Sequence, residues 1–263
     1  MQKGLPCAIV GLGLATLDIF SRVDHMPVWE KRHTVKEFVF DGGGPVGTAL
    51  VTLSRLGLKA KFVGSAGNDL IAEIKLKNLV KNGVDVSRVI IQPRKEDQIV
   101  IIYIDEKTKE HQFSGLDNVF DHDLEIGELD KDYILLNDYL ILDGFHLNAA
   151  IQAAKWMKDA GKRVILNGAK PLDSLWPPKI HQLVPYSDVI ICGSGFISLL
   201  SGKNNLDDAA KWVFDLGPEL IIETDGPNGS HTITPNDKFY TPAFDIDVVD
   251  STGAGDVFFG AYT

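Results

Sequence analysis

Short apolar runs alternate with longer segments of helical periodicity along most of this chain. The runs at 7–13, 60–64, 140–143, 163–166, 188–192 and 220–223 are continuous rather than alternating, as in strands buried on both faces. Between them, 46–56, 70–81, 148–160 and 206–216 carry apolar residues at helical spacing. Gly57, Asn82-Gly83 and Gly161 supply stops for the first three. This order predicts βαβ units, hence an α/β fold around a mostly parallel sheet with helices on both faces. Two stretches break the pattern. Residues 33–40 alternate, with Thr34, Lys36, Phe38 and Phe40 on one side and Val35, Glu37 and Val39 on the other. Residues 98–105 and 110–114 flank a polar Glu106-Lys107-Thr108-Lys109 turn and predict a hairpin. These strands lack crossover helices and are expected to form a separate small sheet.

Composition narrows the class. At 263 residues, with 44% hydrophobic and 24% charged residues, the chain suits one ordered α/β domain with a substantial core. A formal net charge of −10 argues against a nucleic-acid partner, so any anionic ligand must be held by local dipoles. Cys7 and Cys192 each sit in an apolar run, which predicts buried thiols in a reducing compartment, and the expected location is the cytoplasm. No zinc spacing occurs, residues 1–6 lack a signal-peptide core, and no run approaches the roughly 20 apolar residues that span a bilayer.

The candidate chemistry concentrates near the end. Asp250-Ser251-Thr252-Gly253-Ala254-Gly255-Asp256 precedes an apolar, proline-free stretch at 257–261, which predicts a helix start. Free N–H groups there attract an anion. Asp256 at the rim can take a proton beside it, which is what phosphoryl transfer to a hydroxyl requires. The plain alternative is a helix start with glycines and a capping acid. Upstream, Asp41-Gly42-Gly43-Gly44-Pro45 opens a helix carrying Thr48, either as a simple turn or as a polyol site of backbone N–H groups and a hydroxyl. Asp18 follows the first strand, on the side where α/β sheets bind ligands. A dinucleotide fingerprint at Gly11-Leu12-Gly13 is incomplete, because Thr16 stands where its third glycine belongs. Asp143 ends another strand on the ligand side as a candidate contact to the acceptor or to a water network, and His146 nearby is more simply a loop histidine.

The segment from Asp250 to Asp256 resembles the D-T-x-G-A-G-D signature of the ribokinase-like (PfkB) carbohydrate kinases; Ser251 stands where that family often has Thr. Gly43 to Gly57 resembles the family's first signature, ending in Arg55-Leu56-Gly57, and the likeness runs from Gly11 to Gly260. The resemblance implies a three-layer α/β/α domain covering 1–263, with a small β-sheet lid built from about 33–40 and 98–114. It implies ATP-dependent phosphorylation of a primary hydroxyl of a sugar or sugar-like molecule. Asp256 would be the general base, and Gly253, Ala254 and Gly255 the anion hole. Asp18, Gly43, Gly44, Thr48 and Asn68 would meet the substrate, and Thr224, Gly226 and Gly229 would lie along ATP. Mg²⁺ would accompany ATP, and a monovalent cation such as K⁺ would be held by Asp250 and the Thr252 carbonyl. A homodimer through the lid is the implied assembly. Four departures stand out: Pro45 and Thr48 replace a polar residue and an Asn in the substrate site, while Gly193 and Phe196 fall where the family's N-x-x-E organises Mg²⁺. Asn167 also stands at a strand end where many members have an Asp. Family members continue for several helices beyond the signature, so part of the domain is expected to be missing from this sequence. Two alternatives stay open: a sugar-binding protein of the same fold with little catalysis, and a nucleoside kinase.

Overall fold

The computed structural model describes residues 8–119, 121–169, 179–248 and 250–263; Cys7 lies outside them. All six apolar runs become parallel strands of one sheet. Its eight strands lie in the order Lys238–Thr241, Ser230–Ile233, Leu220–Thr224, Val189–Gly193, Arg163–Gly168, Tyr139–Leu142, Ala8–Leu12 and Lys59–Val63. The first two pair antiparallel and the rest parallel. The continuous apolar character of the runs has a direct cause. Successive side chains point to opposite faces, and both faces are cores. Ile190, Ile221 and Leu166 enter one. Ile191, Ile222 and Ile165 enter the other.

Each core is closed by helices. Leu147–Asp159 lays Ala149, Ala150, Ala153, Ala154 and Met157 on the first core, and its small residues let it sit close to the sheet. Leu206–Asp215 adds Ala209, Ala210 and Val213. Pro45–Arg55 buries Val46, Ala49, Leu50 and Leu53 in the second core, beside Phe259 of the last helix, Ala254–Tyr262. These two helices touch closely: a Cβ on Gly260 would lie 2.6 Å from the Ala49 carbonyl oxygen. That contact fixes the 253–256 turn against the 43–48 turn.

A second, four-stranded sheet runs in the order Val35–Gly43, Thr16–Val23, Ile99–Asp105 and His111–Gly115. The predicted hairpin is present as the antiparallel pair of the last two. The 33–40 strand is also present, but extends to Gly43, so Asp41 to Gly43 are strand end rather than turn. Its alternation does not sort sides into buried and exposed: every residue from Val35 to Asp41 is exposed. The strand Thr16–Val23 was not evident in the sequence, and it carries Asp18. Its Leu17 pairs with Ile99 and its Asp18 with Asp41, so it is an inner strand of the lid, bonded on both edges.

The lid is anchored by a buried ion pair. Lys75 Nζ lies 2.7 Å from Glu96 Oε2, both side chains almost fully buried, and also donates to Gln98 Oε1 and the Ser65 carbonyl. Glu96 accepts from the N–H groups of Gly67, Asp97 and Gln98. All donors and acceptors are matched, which is the condition for a buried pair to be tolerated. The network joins Leu70–Lys81 to the chain entering Ile99–Asp105.

Candidate active site

The two turns and the inner face of the lid enclose one cleft of about 670 Å³, well inside the roughly 300–1,000 Å³ typical of small-molecule sites. It opens at the carboxyl ends of the parallel strands, where such sheets bind ligands. Asp18, Gly43, Gly44, Thr48, Thr252, Gly253, Gly255 and Asp256 all line it. Thus residues more than 200 positions apart in sequence share one cavity.

Asp256 sits in the first turn of Ala254–Tyr262. Its carboxylate turns inward and accepts from Asn167 Nδ2 at 3.1 Å. Burial pushes its carboxyl up to about 6, against the opposing effect of that hydrogen bond. At neutral pH it is mostly ionised yet close enough to neutrality to take a proton, the range suited to a general base. Gly253 precedes the helix with φ +73°, a left-handed conformation that glycine adopts at little cost. A Cβ on Gly255 would meet open space, so a ligand can approach the backbone there. The helix start is partly used internally: Ala254 N–H donates to the Ser251 carbonyl at 3.1 Å, and Val257 N–H to Gly253. The expectation that Ala254 N–H faces an anion therefore does not hold in this conformation; the first-turn N–H groups of Gly255 and Asp256 are better placed.

Asp18 faces Asp256 across the cleft. It is buried and accepts from Thr16 Oγ1 at 2.5 Å. Burial raises its carboxyl to about 6; the Thr16 hydrogen bond opposes this, and the charges of Asp41 and Asp256 add to it. Gly43 packs so tightly on Asp18 that any Cβ there would overlap the carboxylate. Gly44 has φ +81°, and a Cβ on it would press on the Leu14 carbonyl at 2.7 Å. Gly43 is therefore favoured by space, and Gly44 by both space and conformation. Thr48 stands between the two halves, its methyl 3.8 Å from where a Cβ on Gly253 would be.

Other predicted residues fall elsewhere. Asn68 is exposed, is not among the residues lining the cleft, and donates its backbone N–H to the Arg94 carbonyl. Thr224 ends a strand beside Gly193 and bonds to the Cys192 carbonyl; Gly226 and Gly229, with φ +50° and +88°, shape the turn that follows. Burial acts to raise the Asp250 carboxyl, but the Thr252 N–H, from which it accepts at 2.8 Å, and then His111 Nε2 of the lid at 3.0 Å, hold it below the usual range. Asp143 is not an acceptor contact: it is fully buried, and its oxygens accept from the N–H groups of Leu14 and Phe145. Burial raises it to about 7. His146 is buried and engaged through Nδ1 with Asp123 and the Leu124 N–H, as a structural histidine would be.

Neither position matching the family's N-x-x-E offers a side-chain ligand for a divalent cation. Gly193 has no side chain to offer. Phe196 is fully buried, its ring against Gly168. Among the described residues no group of three or more His, Cys, Asp or Glu side chains could hold a metal ion.

Residues 8–263 match the family model described as pfkB family carbohydrate kinase, and the chain belongs to that family. The 5-dehydro-2-deoxygluconokinase of Clostridium perfringens is 26% identical over 273 residues, covering 97% of this chain and 79% of the relative. The aminoimidazole riboside kinase of Salmonella typhimurium is 27% identical over 230 residues, covering 83% and 71%. Among solved structures, ribokinase from Thermotoga maritima superimposes with a TM-score of 0.81 at 24% identity, covering 97% of this chain and 84% of that one. Arabidopsis thaliana ribokinase complexed with ribose and ATP gives 0.76 at 19%, covering 98% and 85%. Among the described residues no helix is long and apolar enough to cross a membrane.

Two site features escaped the sequence. In sequence Asn167 reads as a departure at a strand end; in the structure it orients Asp256, 89 positions away. Asp41 was seen only as a turn residue, yet it lines the cleft opposite Asp18.

Proposed function

We propose that this carbohydrate kinase transfers the γ-phosphoryl group of ATP to a primary hydroxyl of a sugar or sugar-like acceptor. The observation that carries the reading is Asp256: an ionisable base held by Asn167 at a glycine-rich helix start, in the same cleft as Asp18. The acceptor's hydroxyls bond to Asp18 and to backbone groups around Gly43 and Gly44, with the Thr48 hydroxyl nearby. As the acceptor oxygen attacks the γ-phosphorus, Asp256 takes its proton. The new O–P bond forms while the bond to the β-phosphate oxygen breaks, and ADP leaves. The N–H groups of Gly253, Gly255 and Asp256 and the helix dipole stabilise the charge on the transferring group, and fixed donors of this kind supply about 3 kcal/mol each. Thr224, Gly226 and Gly229 run along the nucleotide. Support comes from the relatives: the Arabidopsis ribokinase was solved with ribose and ATP.

Mg²⁺ is proposed to arrive on the nucleotide's own phosphates, since Gly193 and Phe196 cannot hold it. A monovalent cation at Asp250 and the Thr252 carbonyl is part of the reading and competes with the Asp250–His111 pair. Phe38 and Phe40 are exposed on one side of the lid and support a homodimer through it. The reaction is proposed to take place in the cytoplasm. The loss of the Asn/Glu pair favours a second reading, a sugar-binding protein with little catalysis.

An ATP-consumption screen over sugars, sugar acids, sugar phosphates and nucleosides, on wild type and Asp256→Asn, separates the two. Turnover with one acceptor, lost in the variant, supports the kinase. A sugar that raises the melting temperature of both proteins equally without any turnover supports the binder.

A further inference from the structure

Two lid strands bring a pair of carboxylates together at the acceptor end of the cleft. Thr16–Val23 and Val35–Gly43 are antiparallel neighbours, and Asp18 stands directly opposite Asp41. Directly opposed residues project from the same face of a sheet, with Cβ atoms about 5 Å apart. Both residues line the cleft, and the charge of Asp41 is felt by Asp18. Like charges in direct opposition are unfavourable unless donors lie between them. Among the described residues no Lys, Arg or His side chain lines the cleft to supply one.

Asp41 is nevertheless held in place, and from outside the lid. Its Oδ1 accepts from the Gly42 N–H at 2.8 Å and from Asn78 Nδ2, on the helix Leu70–Lys81, at 3.0 Å. Asn78 Oδ1 accepts from Asn82 Nδ2 at 3.3 Å, and Asn82 Oδ1 accepts from Arg55 Nε and Nη2 at 3.2 and 2.8 Å. The direction of this chain is fixed at both ends, because a guanidinium only donates and an ionised carboxylate only accepts. Arg55 draws the Asn82 oxygen towards itself. Asn82 then offers its amide hydrogens to Asn78, and Asn78 offers its own to Asp41. Gly42 makes room for this arrangement: a Cβ there would lie 2.5 Å from Asn78 Oδ1. The four side chains line a groove of about 170 Å³ behind the strand end, so they approach Asp41 from the side away from the acceptor. Both bonds use Oδ1, and among the described residues Oδ2 has no protein partner.

We propose that Asp41 is a further specificity-determining residue: its Oδ2 accepts from one hydroxyl of the acceptor while Asp18 accepts from the hydroxyl on the next carbon, and Asn78 is the positioning residue that holds Asp41 to this task. The inference rests on the kinase reading above and deepens it. Two neighbouring hydroxyls supply the two donors that the opposed carboxylates lack. An acceptor missing either one leaves a carboxylate unpaired beside another, so the pair selects for a vicinal diol.

The test uses the full chain with ATP and ribose, fructose or aminoimidazole riboside, followed by the singly deoxygenated analogues of whichever is phosphorylated best. Asp41→Ala is expected to raise KM for that acceptor by about 10–100-fold, the worth of a hydrogen bond to a charged group, with KM for ATP within about twofold. For the one analogue lacking the hydroxyl that Asp41 holds, wild type and Asp41→Ala should share the same KM, which a general folding defect would not produce. Asn78→Ala should raise KM by about three- to tenfold with kcat within about twofold. It should add nothing to Asp41→Ala, because it acts only through that carboxylate. If Asp41→Ala leaves KM within about twofold, or its penalty is the same on every analogue, the inference is overturned and the kinase reading stands. Additive losses would remove Asn78 from the positioning role. If none of the three is phosphorylated, dissociation constants from equilibrium dialysis take the place of KM. The same pattern then upholds the inference while the kinase reading fails; binding of none of them overturns the inference and leaves the kinase reading to the wider screen.

Discussion

Replacing Asp256 by Asn should remove activity and stabilise the fold at the same time. The structure holds this carboxyl near 6 rather than at its ordinary 3.8, because burial disfavours the charged form. A group whose native value is raised binds a proton in the folded state that the unfolded chain has released. Stability is therefore lost as pH rises through this interval, and at pH 8 the ionised side chain costs up to about 3 kcal/mol. Asn has nearly the same shape, carries no charge, and its Oδ1 can still accept from Asn167. For a chain of this size about 3 kcal/mol corresponds to a rise in melting temperature on the order of 5–10 °C. Loss of a general base is expected to lower kcat by about 10²–10⁴-fold. Differential scanning calorimetry at pH 8 and at pH 5 provides the assay, beside steady-state turnover. The stabilisation should be present at pH 8 and shrink at pH 5, where the wild-type carboxyl is largely protonated. A variant that is inactive but equally or less stable at pH 8 would refute the view that burial strains this carboxylate. A variant that retains turnover would remove Asp256 from the reaction.

Other consequences follow from the same geometry. Because Asp256 must be ionised to accept a proton, kcat/KM should rise with pH through an apparent value near 6, and this limb should vanish in the residual activity of Asp256→Asn. Wild-type stability should fall between pH 5 and pH 8, since Asp143, Asp18 and Asp256 all have raised native values; urea titrations at the two pH values check this, and rising stability would contradict it. Asp18→Asn should raise KM for the acceptor by about 10–100-fold, the worth of charged hydrogen bonds, with little effect on KM for ATP. Lys75→Met should destabilise by about 3 kcal/mol because Glu96 is left charged and buried, and Glu96→Gln added to it should recover most of the loss; a single-variant effect under about 1 kcal/mol would show the pair to be dispensable.

How far the sequence speaks depends on whether the information is local. The helix Leu70–Lys81 begins and ends where its spacing predicts, because Asp69 caps it by accepting from Ala72 N–H and Gly83 takes up φ +81° behind it. The buried parallel strands were legible because both faces are apolar. The strand Thr16–Val23 was not, because one of its partners, Ile99–Asp105, is distant in sequence and its polar Thr16, Asp18 and Ser21 are buried at the cleft and lid rather than alternating with solvent. The antiparallel strands Ser230–Ile233 and Lys238–Thr241 are short and partly polar, and were also unseen. In the site, the glycine-rich turns and Asp256 stand out in the sequence as candidates, beside the plain reading of capped helix starts, and the family resemblance gives Asp256 its role. Whether Asp143 faced the ligand or the interior was not legible, since that depends on Gly13, whose lack of a side chain lets the carboxylate fill the space beside it. Nor could spacing show that Lys75, on a helix face with Leu79, turns inward to Glu96.

The transfer itself is tested most directly by mass spectrometry of the acceptor after a single turnover with ATP. Wild-type enzyme should yield acceptor heavier by one phosphoryl group, attached at its primary hydroxyl, in step with ADP, and Asp256→Asn should yield almost none. ADP formed without a phosphorylated acceptor, or phosphorylation that survives in Asp256→Asn, would contradict the account.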